Sequence, residues 1–144
     1  MLKGIPAILS PDLLKRLCEM GHSDRLVIAD GNFPAESLGK NAHVVRLDGH
    51  GVQEILQAVL QVIPLDQYVE QPVSLMAKVP GDNAPTPIWD VVKAEVKKVD
   101  ERGEQAVGFL ERFKFYEEAA QAYLIITSSE KALYANVLLQ KGVV

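Results

Sequence analysis

The sequence predicts a single α/β domain over residues 1–144, with a mainly parallel sheet flanked by helices in three Rossmann-like layers and no nucleotide-binding loop. The first observation is that apolar runs alternate with amphipathic segments along the chain, which is typical of this fold class. The second is the length of 144 residues, which is close to the usual size of one domain. The third is the composition, 48% hydrophobic and 24% charged, which favours a packed core over disorder.

The first predicted helix has a recognisable start and stop. Ser10 can cap its N-terminus, and Pro11 suits the first helical position. Leucines follow at helical spacing, and Gly21 fits the left-handed conformation that ends many helices. His22 is therefore expected just beyond a helix end.

The other predicted elements continue the alternation of strand and helix. Apolar, β-prone runs predict strands at residues 25–29, 44–47, 73–79, 106–111, 123–127 and 135–139. Amphipathic spacing predicts helices at residues 52–63, 88–99 and 115–122. The turn-rich segment PGDNAPTP at 80–87 is predicted to be the most mobile loop.

Composition excludes several classes of protein. With 15 basic and 19 acidic residues the net charge is −4, so no basic surface for nucleic acid is expected. No apolar run approaches the ~20 residues of a membrane span. The one cysteine, Cys18, cannot form an internal disulfide, which favours a cytoplasmic location. Neither GxGxxG nor GxxxxGK[ST] occurs, so no dinucleotide or ATP cofactor is expected.

The segment GHSDRLVIADGNFP, residues 21–34, is where we expect chemistry. It combines His22 with the carboxylates of Asp24 and Asp30 around a buried strand. The ordinary pKa of histidine, about 6.5, allows proton transfer near neutral pH. The segment therefore points to acid/base catalysis that needs neither a metal nor a nucleotide.

A metal site is the alternative for the same region. Its possible ligands within thirty residues are His22, Asp24, His43, Asp48 and His50. Their spacings match no recognised metal-binding pattern, so we expect no bound metal.

Three separated motifs resemble those of one protein family. They are GHSDRLVIADGNFP at 21–34, ERFKFYE at 111–117 and YANVLLQKGV at 134–143, in that order in a chain of matching length. Together they resemble the fucose mutarotase and ribose pyranase family of sugar anomer-interconverting proteins. The resemblance implies a proton-donating His22, a monosaccharide substrate contacted by Asp30, Arg112, Tyr134 and Asn136, no cofactor, and a homo-oligomer, which in this family is a decamer.

Position 112 bears on the choice of sugar. The ribose pyranase branch typically carries histidine there, whereas the fucose branch carries arginine within RFxFYE, and this chain has ERFKFYE. The resemblance therefore implies interconversion of the α and β anomers of L-fucose by acid/base-catalysed ring opening and closure. A D-ribose pyranase or broader aldose mutarotase, and a non-catalytic sugar-binding module, are the alternatives.

The residues taken alone also allow purely structural roles. His22 could bind the last carbonyls of its helix, and Asp24 could cap the turn or support His22. Asp30 could belong to a plain turn, Arg112 could be a surface charge, and Tyr134 could fill space in a strand.

The separation of His22 from Asp30 poses a geometric problem. Eight extended residues would span roughly 26 Å at ~3.3 Å each, too far for one small sugar to touch both. Either the backbone at 21–24 folds back beside the strand, or the site is shared between neighbouring subunits. We predict an oligomer on this ground as well.

Overall fold

A six-stranded sheet forms the centre of the molecule, and the computed structural model describes all residues, 1–144. The strands are β1 (Arg25–Ala29), β2 (His43–Arg46), β3 (Val73–Met76), β4 (Val107–Leu110), β5 (Leu124–Thr127) and β6 (Val137–Gln140). The helices are α1 (Pro11–Glu19), α2 (Ala35–Leu38), α3 (Val52–Leu60), α4 (Pro87–Lys97) and α5 (Arg112–Ala120). A 3-10 turn, Gly103–Ala106, precedes β4.

The strand order is β2-β5-β1-β6-β3-β4, and five of the six strands run in the same direction. Only β6 is antiparallel. It lies between β1 and β3, and its Val137 is paired with Ile28 of β1 on one side and with Leu75 of β3 on the other. The predicted mainly parallel sheet is confirmed. The inserted β6 matters for function, because it brings the residues that precede it to the edge where the other five strands end.

Helices cover both faces of the sheet, which confirms the predicted three layers. On one face α1, α3 and α4 enclose the larger apolar core together with Leu26 and Ile28 of β1. On the other face α2 and α5 pack over Val27 and Ala29 of the same strand. A strand buried on both faces needs apolar residues at every position, which explains the unbroken LVIA run.

Several predicted boundaries were wrong near the sequence motifs. The last strand begins at Val137 instead of residue 135, so Asn136 lies in the preceding loop with Tyr134. Tyr134 has a left-handed backbone, with φ of 57°, which a strand cannot accommodate. The predicted strand 73–79 ends at Met76, and the short α2 was not predicted.

Helix α5 begins at Arg112, three residues before the predicted start. Glu111 is responsible, because its side chain accepts hydrogen bonds from the Phe113 amide (3.0 Å) and the Lys114 amide (3.2 Å). This cap fixes Arg112 in the first turn of the helix, directly after β4.

The segment that carries His22 ends α1 differently from the prediction. Gly21 is not left-handed; the chain leaves the helix through the extended Met20, and the left-handed residue is Ser23, with φ of 70°. Asp24 closes this turn by accepting the Gly21 amide at 2.7 Å, so its turn-capping role is confirmed.

None of the five helices combines the length and the apolar character that crossing a bilayer requires.

Candidate active site

The five predicted site residues lie at two opposite edges of the sheet. We call the edge where the five parallel strands end the carboxyl edge, and the edge where they begin the amino edge. Asp30 follows β1 and Arg112 follows β4, while Tyr134 and Asn136 precede the antiparallel β6, so all four lie at the carboxyl edge. His22 precedes β1 and lies at the amino edge.

Asp30 and Asn136 form a buried, mutually oriented pair. Asn136 Nδ2 donates to Asp30 Oδ2 at 2.9 Å, and the Asp30 amide donates to Asn136 Oδ1 at 2.8 Å. The other carboxylate oxygen accepts the Asn32 amide at 2.9 Å, so Asp30 also forms the turn that its Asp-Gly sequence suggested. Burial raises the pKa of Asp30 above its ordinary value, and these hydrogen bonds oppose part of that rise. The pair offers fixed acceptors and donors for sugar hydroxyls.

Tyr134 is held by the PGDNAPTP loop. Its hydroxyl donates to the carboxylate of Asp82 and accepts the Val79 amide at 3.4 Å. Its backbone carbonyl accepts the indole N–H of Trp89 at 3.0 Å. The hydrogen bond to Asp82, and burial after it, raise the pKa of Tyr134 above its ordinary value, so its phenol stays protonated. A loop predicted to be mobile is thus tied to the candidate site.

Arg112 is exposed at the carboxyl edge and rests against aromatic rings. Its Nε donates to the Tyr116 hydroxyl at 3.4 Å, and its guanidinium carbon lies 5.6 Å from the centre of the Tyr116 ring. Phe33 packs on the same ring in a T-shaped arrangement, with centroids 5.8 Å apart. The guanidinium is therefore steadied on one side and leaves its remaining N–H donors free.

His22 makes one strong side-chain contact, and it is not with the helix carbonyls. Its Nε2 lies 3.1 Å from Oδ2 of Asp66, and its ring lies 5.4 Å from the ring of Tyr68. Asp66 is 1% exposed. Burial raises the pKa of Asp66, but hydrogen bonds from the Tyr68 amide, from Gln140 and from His22 lower it by more, so the net shift is downward. Asp66 is an ionised partner for the histidine.

Sequence reasoning missed both Asp66 and Asp82. Asp66 is 44 residues from His22 along the chain, and Asp82 is 52 residues from Tyr134. The only sequence feature that pointed to Asp82 was its place in a turn-rich loop. For Asp66 the sequence shows only that it follows a helix and an apolar residue, which does not indicate a functional role.

The segment that carries Asp66 is braced by a partly buried ion pair. Arg102 donates from Nη2 to Asp100 Oδ2 (2.8 Å) and from Nε to Oδ1 (2.9 Å), and Gln67 Nε2 donates to the same carboxylate at 3.0 Å. Arg102 also donates to the backbone carbonyls of Asp66 (3.0 Å) and Val69 (2.7 Å). The side-chain hydrogen bonds from Arg102 lower the pKa of Asp100 to about 2.

This ion pair predicts a specific acid sensitivity. The pKa of Asp100 is lower in the folded than in the unfolded chain, so its stabilising contribution is complete above about pH 4 and is lost as the pH falls towards 2. Between about pH 6 and about pH 3 the loss is about 1 kcal/mol. Urea unfolding at the two pH values will show wild type losing about that much more free energy of unfolding than Asp100→Asn. Equal losses in the two proteins would contradict the ion pair.

The two edges are not brought together within one chain. Five strand residues separate them, and from Arg25 to Asp30 the backbone covers about 17 Å at ~3.3 Å per residue. The turn at 21–24 does not fold back beside β1, because the Ser23 amide donates to the Lys141 carbonyl at the amino edge (2.9 Å). The first of the two geometric alternatives is therefore wrong for the single chain.

The five possible metal ligands also do not converge. His22 pairs with Asp66, His50 pairs with Glu54 at 3.0 Å, and His43 packs on a tyrosine ring. No group of three or more His, Cys, Asp or Glu side chains is arranged to hold a metal ion.

Comparison with known proteins agrees with the fold and the motifs. The model of the RbsD / FucU transport protein family matches residues 3–144. The fucose mutarotase of Homo sapiens is 43% identical to this chain, with 99% of this chain and 94% of that protein covered.

Two solved structures are similar over the whole chain. FucU from Bifidobacterium longum has a TM-score of 0.97 at 66% identity, with 99% of both chains covered. The fucose mutarotase of Streptococcus pneumoniae in complex with L-fucose has a TM-score of 0.90 at 41% identity, again with 99% of both chains covered. The predicted family resemblance is confirmed, and this chain belongs to the RbsD / FucU family.

Proposed function

We propose that this protein is an L-fucose mutarotase, which interconverts the α and β anomers of L-fucose without a cofactor. The observation that carries the proposal is that all five residues implied by the family resemblance are present in a chain that is similar over its full length to the structure with L-fucose. His22 also contacts a buried carboxylate. The polar side chains at the carboxyl edge are of the types that bind sugar hydroxyls.

The chemistry needs one proton delivered and one removed. In ring opening, imidazolium His22 gives a proton to the ring oxygen as its bond to the anomeric carbon breaks, and the anomeric hydroxyl loses its proton as the carbonyl forms. Asp30 either accepts that proton itself or holds the hydroxyl while the proton passes to solvent water. Closure on the other carbonyl face reverses both transfers. Arg112, Tyr134 and Asn136 orient the sugar hydroxyls.

The complete site is proposed to form between subunits of a homo-oligomer. The support is that His22 lies about 17 Å or more from Asp30 within the chain, while each half of the site has an exposed residue, His22 at the amino edge and Arg112 at the carboxyl edge. Each half also has large exposed apolar neighbours: Tyr68 (78% exposed) beside His22, and Phe113 (72%) with Leu133 (54%) at the other edge. Exposed apolar groups flanking a half-site are typical of an interface.

The substrate test compares L-fucose with D-ribose by NMR saturation transfer between ring forms at equilibrium. The proposal predicts that the protein accelerates α/β exchange of L-fucose, in proportion to its concentration. Accelerated exchange of D-ribose ring forms alone would identify a pyranase instead. Binding of either sugar with exchange at the spontaneous rate would identify a non-catalytic sugar-binding module.

Asp82 is predicted to act on substrate affinity through Tyr134. In Asp82→Asn the tyrosine hydroxyl loses a charged acceptor, and a loss of about 1 kcal/mol in positioning raises KM for L-fucose about fivefold. We expect kcat to stay within about twofold of wild type, since His22 is untouched. Asp90→Asn, an exposed acid on α4, is the matched control. An unchanged KM in Asp82→Asn would show that the loop does not position Tyr134.

The proposed location is the cytoplasm, in keeping with the single free and exposed thiol of Cys18.

A further inference from the structure

Trp89 connects helix α4 to the loop that carries Tyr134. Resting on the proposed function, we propose that Trp89 is a positioning residue: its indole N–H holds the backbone of Tyr134 in the left-handed conformation that directs the tyrosine side chain towards the sugar. Trp89 lies outside the three family motifs, and it is the only tryptophan of the chain.

The first step is that Tyr134 has a backbone conformation that its surroundings must stabilise. Its φ of 57° lies in the left-handed region, which costs free energy for a residue with a Cβ atom and persists where neighbouring groups hold it. Leu133 before it is exposed, whereas Ala135 and Asn136 after it are buried. Rotation of this backbone would move the tyrosine side chain relative to Asp30 and Asn136, which are fixed to each other.

The second step is that the indole is the group that holds this backbone. Trp89 Nε1 donates to the Tyr134 carbonyl oxygen at 3.0 Å, and no backbone amide donates to that carbonyl. The Tyr134 amide in turn forms no hydrogen bond to another backbone group. Because a half-buried carbonyl without a donor is unfavourable, the indole contact stabilises the conformation in which the carbonyl faces it.

The third step is that the indole itself is fixed. Trp89 lies in the first turn of α4, and its ring packs in a T-shaped arrangement on Phe109 of β4, with centroids 4.7 Å apart. Lys78 Nζ lies 5.6 Å from the centre of the indole ring and donates to the Ala84 carbonyl at 2.9 Å. The donor nitrogen is therefore anchored to a helix and a strand, and its position determines where the Tyr134 carbonyl lies.

The fourth step is that Tyr134 is held at both ends. The indole of Trp89 binds its carbonyl, while Asp82 and the Val79 amide bind its hydroxyl. Loss of the indole contact leaves the phenol less often in place for a sugar hydroxyl, which weakens sugar binding. Proton transfer at His22, on the opposite edge of the sheet, is not altered.

Trp89→Phe removes the N–H donor and keeps an aromatic ring against Phe109. We expect KM for L-fucose to rise about fivefold and kcat to stay within about twofold of wild type. Phe109→Leu is the matched control, because it removes the ring that packs on the indole but leaves the N–H contact, and its KM should stay within about twofold. An unchanged KM in Trp89→Phe would overturn the inference.

A double-mutant cycle with Tyr134→Phe separates positioning from a merely structural role of Trp89. Tyr134→Phe removes the hydroxyl that Trp89 is proposed to position. In that background Trp89→Phe should raise KM by less than about twofold, because no hydroxyl is left to misplace. Increases in KM that multiply in the double variant would contradict the inference, since Trp89 would then act independently of Tyr134.

The single indole also allows a test on wild type without sugar or turnover. The Trp89 indole proton gives one signal in a ¹H–¹⁵N spectrum, and its hydrogen bond predicts exchange with D₂O at least about 10-fold slower than that of a free indole. Exchange at the free rate would refute the inference, whether or not the protein acts on L-fucose.

The proposed function and the inference fail in different ways. If wild type binds L-fucose without accelerating anomer exchange, the proposed function alone fails, and the same comparisons made on dissociation constants decide the inference. If wild type does not bind L-fucose, both fail.

Discussion

Replacing His22 with alanine is expected to slow the catalysed anomer exchange of L-fucose by about 10²–10⁴-fold, the usual contribution of a well-placed general acid or base. The fold should survive, because the His22 side chain is exposed and closes no core contact. The measurement is saturation transfer between the α and β anomeric protons at equilibrium, with sugar binding followed separately. Binding is expected to change by less than the rate, since the hydroxyl contacts are proposed to come from the carboxyl edge.

His50→Ala supplies the matched control for this loss. His50 is also near the surface and also bonded to a carboxylate, Glu54. It follows β2 at the carboxyl edge, the edge opposite His22, and it is not one of the proposed sugar contacts. Its removal should leave the exchange rate unchanged. A His22→Ala protein with wild-type exchange would show that the acid/base group lies elsewhere, whatever sugar is bound.

Two inactive variants are expected to restore activity when they assemble together. His22→Ala lacks the amino-edge half of the site, and Arg112→Ala lacks a carboxyl-edge contact. If each site takes its two halves from neighbouring subunits, random co-assembly of the two chains leaves about one quarter of the sites complete. Co-expressed protein should therefore regain about that fraction of the wild-type exchange rate.

The control for this rescue pairs two variants of the same half. His22→Ala with Asp66→Asn damages only the amino-edge half. Every amino-edge half in the mixed assembly then lacks either His22 or Asp66, so no site is complete and activity should not exceed that of the two parents. The carboxyl-edge pair, Arg112→Ala with Asn136→Ala, behaves in the same way. If neither the mixed-edge pair nor the same-edge pairs regain activity although the chains co-assemble, the sites do not take residues from two subunits.

The fold was predictable wherever apolar periodicity decided it. Strand β1 is buried on both faces and α3 buries a full stripe, so their residue patterns leave little choice of conformation. The prediction was wrong where a side chain or a strained backbone set the boundary. Glu111 starts α5 early by capping it, and the left-handed Tyr134 keeps the chain out of β6.

The antiparallel placement of β6 was also beyond the sequence pattern. Its apolar run predicts a strand but carries no information on which neighbours it pairs with. That placement depends on contacts between residues more than a hundred positions apart, such as Asp30 with Asn136.

The candidate site was likewise predictable from the sequence only in part. The motifs supplied the types and positions of the five residues, but not their two-edge arrangement, which follows from the direction of β1. Asp66 and Asp82 could not be predicted, because each acts through one long-range hydrogen bond to a residue that the motifs contain. An isolated aspartate in a loop looks the same in sequence whether it orients a histidine or faces water.

A crystal structure of the protein with L-fucose bound tests the two-edge site most directly. We expect the sugar between two subunits, with His22 of one subunit within hydrogen-bonding reach of the ring oxygen or the anomeric hydroxyl, and Asp30, Arg112, Tyr134 and Asn136 of the other contacting the remaining hydroxyls. A sugar held entirely by one subunit, or bound out of reach of His22, would contradict the account.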